Sequence, residues 1–248
     1  MKKLILASAI AAALAGGLVH AEDKKPDNEV TFNVAGVSDY RFRGISQTRL
    51  KPALQGGVDY VNNPSGFYAG AWASTIKWTK DAGGSGDVEV DLYGGKRGEL
   101  AKDLAYDLGV LAYVYAGNDL DKVGLKNANT FELYGQLGYG PAYIKYSHAV
   151  TNLFGAVDSK NSGYLDIGAN IDLTNGWTGN LHVGHQNVRH ASVSSYTDWK
   201  LGVTKDFGVL TGALAVVGSN ADKKAYASPV NGKFTGKTAL LLTLSKTF

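Results

Sequence analysis

Cysteine is absent from this chain of 248 residues, methionine occurs once and proline five times. The first absence excludes a disulfide framework, thiolate metal sites and cysteine nucleophiles. Charge is also scarce, at 19% of residues. Lys+Arg number 25 and Asp+Glu 22, and the resulting +3 is too small a bias to suggest a nucleic-acid partner. Beyond the N-terminus no apolar run reaches the roughly 18 residues of a membrane-spanning helix, which excludes helical spans. What the chain has in abundance is glycine, 32 residues with no collagen period, beside an ordinary hydrophobic fraction of 44%. These quantities describe a folded, glycine-rich β protein.

The N-terminus carries an address. Lys2 and Lys3 precede an apolar stretch from Leu4 to Val19, followed by Val19-His20-Ala21 and the polar Glu22-Asp23-Lys24-Lys25. A basic start, a short apolar core and a small residue before the cut make a secretory signal peptide, with cleavage expected after Ala21. The organisation read from this is a signal peptide over 1–21 and one domain over 22–248. Loss of Lys2 and Lys3 leaves 23 basic against 22 acidic residues, a charge of +1.

The rest of the chain alternates with period two, the signature of strands with two unlike faces. Val30, Phe32 and Val34 alternate with Thr31, Asn33 and Ala35 in a first segment read as far as Phe42. Leu54, Val58 and Tyr60 follow, then Tyr68, Trp72, Ile76 and Trp78. The fourth segment is the cleanest, with Val88, Val90 and Leu92 opposing Asp87, Glu89 and Asp91. A helix would scatter those carboxylates, whereas a strand sets all three on one face. The pattern continues through Leu104–Val114, Phe131–Tyr139, Ala142–Val150, Leu165–Leu173, Trp177–His185, Ser195–Val203, Phe207–Val217 and Phe234–Phe248, twelve segments in all. Each approaches the roughly 9–11 residues that cross a bilayer at a tilt. On the face assigned outward, Lys246 is the one charged residue.

The links alternate too. Asn62-Asn63-Pro64-Ser65, Gly95 to Lys102, Gly140, Thr174-Asn175-Gly176 and Asp206 are short, while Thr79–Gly86, Gly117–Ala128, Thr151–Ser162 and Gly218–Lys233 are longer and polar. Short turns at one rim and long loops at the other, around an even strand count, predict an antiparallel up-and-down transmembrane β-barrel in the outer membrane of a Gram-negative bacterium. Tyr40, Phe42, Tyr60, Tyr68, Trp78, Phe131, Tyr139, Trp177 and Phe207 near strand ends are the expected interfacial girdles.

Two sequence signatures carry a resemblance. The last strand presents Leu240, Leu242, Leu244, Lys246 and a terminal Phe248 on one face, similar to the C-terminal strand by which outer-membrane proteins are recognised by the barrel-assembly machinery. Lys246 departs from the apolar residue usual there. Ser38-Asp39-Tyr40-Arg41-Phe42-Arg43-Gly44-Ile45-Ser46, with Pro52-Ala53-Leu54-Gln55-Gly56, Gly66 to Ser74 and Val88 to Gly95, resembles the bacterial porin-like proteins of the TorF type. The resemblance covers about the first third of the mature chain. It implies an outer-membrane barrel with a poorly defined solute and no catalytic residues.

The face assigned inward carries the candidate chemistry. Its acids are Asp39, Asp59, Asp87, Glu89, Asp91, Asp103, Asp107, Glu132, Asp166, Asp172 and Asp198, and its bases are Arg41, Arg43, Lys77, Lys145 and Lys200. Excess carboxylate in a narrow pore concentrates cations, so the expected activity is passive diffusion of small polar or cationic solutes. The competing reading is internal pairing, with Arg41 and Arg43 against neighbouring carboxylates such as Asp59. It leads to a non-conducting structural or adhesive barrel. An outer-membrane lipid-modifying enzyme is the lesser alternative, and an enzyme is not expected. Ser147 and His148 face opposite ways in a strand, as do His182 and His185, and no nucleophile elbow, zinc motif or EF-hand loop occurs. No cofactor or metal is called for: Asp119, Asp121 and Asp158 are interleaved with Lys122, Lys126 and Lys160. Gly138 to Pro141 reads as a tight turn. Expected partners are outer-membrane lipid, lipopolysaccharide at the Lys-bearing loops, the assembly machinery and small solutes. Oligomeric state is not legible.

Overall fold

The computed structural model describes residues 26–248, so the signal peptide expected over 1–21 lies outside the described residues. In chain order the strands are β1 (Asn28–Val37), β2 (Arg41–Phe42), β3 (Ile45–Ser46), β4 (Ala53–Asn62), β5 (Phe67–Thr75), β6 (Val88–Ala101) and β7 (Leu104–Val114). They continue as β8 (Thr130–Tyr139), β9 (Ala142–Ala149), β10 (Gly163–Asp172), β11 (Trp177–Asn187), β12 (Tyr196–Asp206), β13 (Thr211–Ser219) and β14 (Ala239–Thr247). All except β2 and β3 form one closed antiparallel barrel of twelve strands, each beside its neighbour in sequence. The seam joins β1 to β14 from Asn33↔Thr247 to Val37↔Thr243. Phe248 extends it, exchanging backbone hydrogen bonds with Phe32 at 2.8 and 3.2 Å. Closure removes both sheet edges, the condition for a sheet to exist in lipid.

The period-two pattern explains the wall. Val30, Phe32, Leu54, Leu92, Leu133, Ile144, Ile167, Leu181, Leu201, Leu214, Leu242 and Leu244 all point outward and are exposed. A continuous apolar surface of this extent is tolerated against hydrocarbon and not against water. The loops segregate as expected: turns at 63–66, 102–103, 140–141, 173–176 and 207–210 close one rim, and the longer links lie at the other.

Four expectations are corrected. First, β1 stops at Val37, and residues 38–52 leave the wall to carry β2 and β3 as a separate hairpin. Second, the faces of β5 are inverted: register places Tyr68, Gly70, Trp72 and Ser74 with the inward Gly95, Tyr93, Asp91 and Glu89, while Ala69, Ala71 and Ala73 face out. Tyr40, Phe42, Tyr68 and Trp78 are therefore not girdle residues. Third, β6 continues through Gly95 to Ala101 and turns only at Lys102-Asp103. Fourth, β6 and β12 run long enough to add Lys96 and Lys205 to Lys246 as outward charges.

The glycine content has a steric reason. Inward tyrosines lie across glycines of the neighbouring strand: a Cβ on Gly109 would stand 2.5 Å from the Tyr134 hydroxyl, and one on Gly168 2.5 Å from that of Tyr143. Gly184 lies closer still under Tyr164. A ring laid flat along the wall needs a neighbour without a side chain.

Candidate functional site: the lumen and its inward hairpin

The residues most able to act lie inside the barrel, where the hairpin of β2 and β3 meets the wall. Arg43 and Gly44 join the two short strands with φ of +45° and +78°, the two-residue turn with both central residues left-handed. Gly44 is pressed against β12, where a Cβ would come 2.5 Å from the Asp198 Cβ. Because β1 and β4 neighbour each other and β12 lies beyond β14 and β13, the loop reaches across the lumen.

Arg43 is the tether. Its guanidinium donates to both oxygens of Glu132 on β8, at 3.0 and 2.7 Å, and to the Gln186 side-chain oxygen on β11 at 2.7 Å. It also stacks 4.3 Å from the Tyr164 ring centroid and 4.8 Å from that of Phe42. Both ion-pair partners are almost fully buried, with side-chain exposures of 7% and 2%. Bidentate geometry and stacking are what arginine supplies and lysine does not. At the base of the hairpin, Asp39 accepts from Arg41 Nε at 2.6 Å, Ser46 Oγ at 2.5 Å and Thr48 Oγ1 at 3.1 Å. Arg49 makes a forked pair with Asp81.

Aromatic packing fills the outer half of the lumen. Tyr40, Trp72, Ile76, Leu111, Tyr113, Tyr115 and Leu120 are buried together, with Phe42, Trp78 and Phe154 packed against them. Edge-on contacts link Tyr40–Trp72, Phe42–Tyr113 and Trp78–Tyr115 at centroid distances of 5.5, 5.4 and 5.1 Å. Glu89 and Asp91 lie within this layer at 1% and 2% exposure, not in open water. Tyr40 donates to Glu89 at 2.7 Å, while one Asp91 oxygen has no partner.

A second group occupies the wall across β10, β11 and β12. His182 on β11 has Nδ1 2.6 Å from Asp166 Oδ1 and Nε2 2.7 Å from Asp198 Oδ1. Carboxylates only accept, so the ring serves both by carrying a hydrogen on each nitrogen. Tyr164 and Tyr143 donate to Asp198 and Asp166 at 3.0 and 3.3 Å. The two carboxylates sit on opposite edges of the ring and cannot share one metal ion, and no group of three or more side chains placed to hold a metal ion occurs among the described residues. Lower on the wall, Asp107 accepts from Tyr68 at 2.5 Å, Tyr68 also bonds Tyr134, and the Lys145 ammonium lies 3.9 Å from the Tyr134 centroid.

Toward the short-turn rim part of the interior opens. Thr31, Asn33, Asp59, Tyr93, Arg97, Asn180 and Lys200 are partly exposed, while Tyr68, Asp107, Gln136 and Lys145 stay buried. Asp59 accepts from Tyr93 at 2.5 Å and from Asn33 at 3.4 Å.

Of the candidate residues, Asp59, Glu89, Asp91, Asp107, Glu132, Lys145, Asp166 and Asp198 thus face inward from the wall. Arg41 and Arg43 belong to the hairpin, and their partners are Asp39 and Glu132, not Asp59. Lys77 and Asp87 leave the wall altogether: Lys77 is exposed beside the helical turn α1 (Trp78–Asp81), and Asp87 pairs with Lys80 at 2.7 Å. That hydrogen bond holds the Asp87 carboxyl below its ordinary range. Sequence reasoning does not single out His182, Tyr164 and Gln186. Alternation marks them only as inward, and their partners sit on strands whose register the sequence does not state.

Known structures share the barrel fold. A membrane protein solved in a study of in-meso crystallization aligns with a TM-score of 0.50 at 8% identity, covering 88% of this chain and 83% of that one. LpxR from Salmonella typhimurium gives 0.45 at 10% identity over 88% and 99% of the two chains. Pseudomonas aeruginosa OprD gives 0.39 at 12% over 88% and 66%. At these identities the likeness concerns architecture and carries no activity. No curated protein matches the sequence. One family model does, over residues 21–248, and by it the chain belongs to the bacterial family of unknown function Gcw_chp.

Proposed function

We propose that the protein is a porin-like channel of the outer membrane, similar to the TorF type, for passive diffusion of small polar or cationic solutes. Its passage is governed by the inward hairpin. The observation that carries this reading is the tether: the lumen is crossed by a loop held at its tip through one guanidinium, above a polar interior that water reaches. A closure made by a loop can be displaced without unpairing any wall strand. The role is passive, with no catalytic step and no cofactor. Phe248, exposed at the seam, is the residue for the assembly machinery to read, and the Lys-bearing outer loops suit lipopolysaccharide.

Conductance of the refolded chain in planar bilayers tests the reading. Wild type is expected to give small steps, and Arg43→Ala to raise the open fraction severalfold. A second reading, a non-conducting structural barrel, is favoured by the fully buried Ile76, Leu111 and Leu120 of the outer layer. Silence from both wild type and variant, each folded and heat-modifiable on gels, would select that reading instead.

A further inference from the structure

The outer wall presents charge of one sign at one rim. Among the described residues, the wall strands point Lys96, Lys205 and Lys246 outward, and no carboxylate. Each ammonium lies over an aromatic ring: Lys96 at 5.1 Å from the Phe67 centroid, Lys205 at 5.4 Å from Trp177, and Lys246 at 5.0 Å from Phe248. All three rings lie at the rim closed by short turns. That rim faces the periplasm in barrels of this kind, so it meets the inner leaflet.

Between Lys205 and Lys246 the wall is apolar. Gly212 on β13 pairs with Lys205 on one side and with Leu244 on the other. The Phe207 ring closes over this glycine, 3.2 Å from where a Cβ would stand. Lys205 leans away from this strip, over Trp177 and with its ammonium donating to the Asn175 carbonyl, and Lys246 stands two residues beyond Leu244 on the other side. Lys96 in turn edges a groove of about 470 Å³ that runs over Gly94 between Phe67, Leu108 and Val110. An apolar floor ending in a cation matches an acyl chain ending in a phosphate. A single lysine in an aromatic girdle would be ordinary anchoring. Three, each stacked, with acids wholly excluded from the face, make a complementary surface.

We propose that this rim binds the phosphate headgroups of anionic phospholipids in the inner leaflet, at Lys96, at Lys205 and at Lys246. The inference rests on the membrane orientation and not on conduction, so silence in a conductance experiment leaves it standing. Trp177, paired with Lys205, reports on lipid at that lysine. In a Trp199→Phe background, which removes the other lipid-facing indole, the protein is placed in vesicles containing brominated phosphatidylglycerol or brominated phosphatidylcholine. Trp177 is expected to be quenched at a severalfold lower mole fraction of the anionic lipid, with about a fivefold contribution from each lysine in contact. The variant K96Q/K205Q/K246Q is expected to lose the preference, and K96R/K205R/K246R, which keeps the charge, to retain it. Folding of each is read from heat-modifiable migration. Equal quenching by both lipids in the wild type would overturn the proposal, as would a preference that survives in the glutamine variant. An oligomer that dissociates in that variant, with no lipid preference in the wild type, would also overturn it and assign the rim to a subunit contact.

Discussion

The two halves of the lumen are built from the same strands and hold opposite interiors. In the outer half, Tyr40, Trp72, Tyr113 and Tyr115 close around Glu89, Asp91 and Glu132, and water is excluded. In the half toward the short turns, Asn33, Asp59, Arg97 and Lys200 stay partly exposed, although Asp107, Gln136 and Lys145 on the facing strands are buried. The wall creates part of this difference through Trp72, Leu111 and Tyr113, and the added chain completes it with Tyr40, Phe42 and Arg43. Residues 38–52 fold into the outer half only, bringing Arg43 to the buried carboxylate of Glu132 on β8. A barrel of twelve strands leaves more interior than its own side chains fill, and a loop that enters converts half of it from channel to core.

The contrast between the halves is tested most directly at Arg43. Arg43→Ala leaves Glu132 buried without its ion pair, a loss on the order of 3–5 kcal/mol, measurable from urea-dependent refolding in lipid. The double variant Arg43→Ala with Glu132→Gln removes the orphaned charge and is expected to recover much of that loss. Equal stability of the single variant and wild type would mean that the hairpin is not held by the pair. A smaller effect is expected at Gly109, whose missing side chain makes room for Tyr134. Gly109→Ala forces the ring off the wall and is expected to cost about 1–3 kcal/mol, with tyrosine fluorescence reporting the displacement. Tyr134→Leu combined with it is expected to restore part of the loss. The smallest effect lies in the wet half. Asp59→Asn leaves stability within about 1 kcal/mol of wild type and lowers cation preference in the reversal potential of any open state. A large loss of stability there would erase the distinction between the halves.

Some of this organisation is legible in the amino-acid order. The alternation of Val88, Val90 and Leu92 with Glu89 and Asp91 sets their faces correctly, because a strand has only two sides. Alternation cannot say which side is out where both are hydrophobic. On β5 the large residues Tyr68 and Trp72 turn inward and the alanines outward. Inside, the Tyr68 hydroxyl reaches Asp107 and the rings fill space, whereas alanine is adequate against lipid. The first strand is shorter than its period suggests, for a related reason. Tyr40, Arg41 and Phe42 continue the alternation, but the backbone of Arg41 and Phe42 pairs with Ser46 and Ile45 and not with β14. The candidate site is legible as a set of inward charges and illegible as pairs. Asp166, His182 and Asp198 are separated by 16 residues at each step, and only strand register brings them within hydrogen-bond distance.

Local periodicity and composition therefore suffice for a glycine-rich antiparallel barrel, an approximate strand count, the segregation of its turns and the apolar character of its outer face. They act within a strand and between neighbours, and these four properties need nothing more. That residues 38–52 enter the lumen, that Arg43 meets Glu132, and that the lysines of β6, β12 and β14 share one rim are settled only in the folded barrel. Each of these is a meeting between residues far apart in the chain. Such meetings depend on closure, register and the volume left inside, quantities that exist only once the whole barrel has formed.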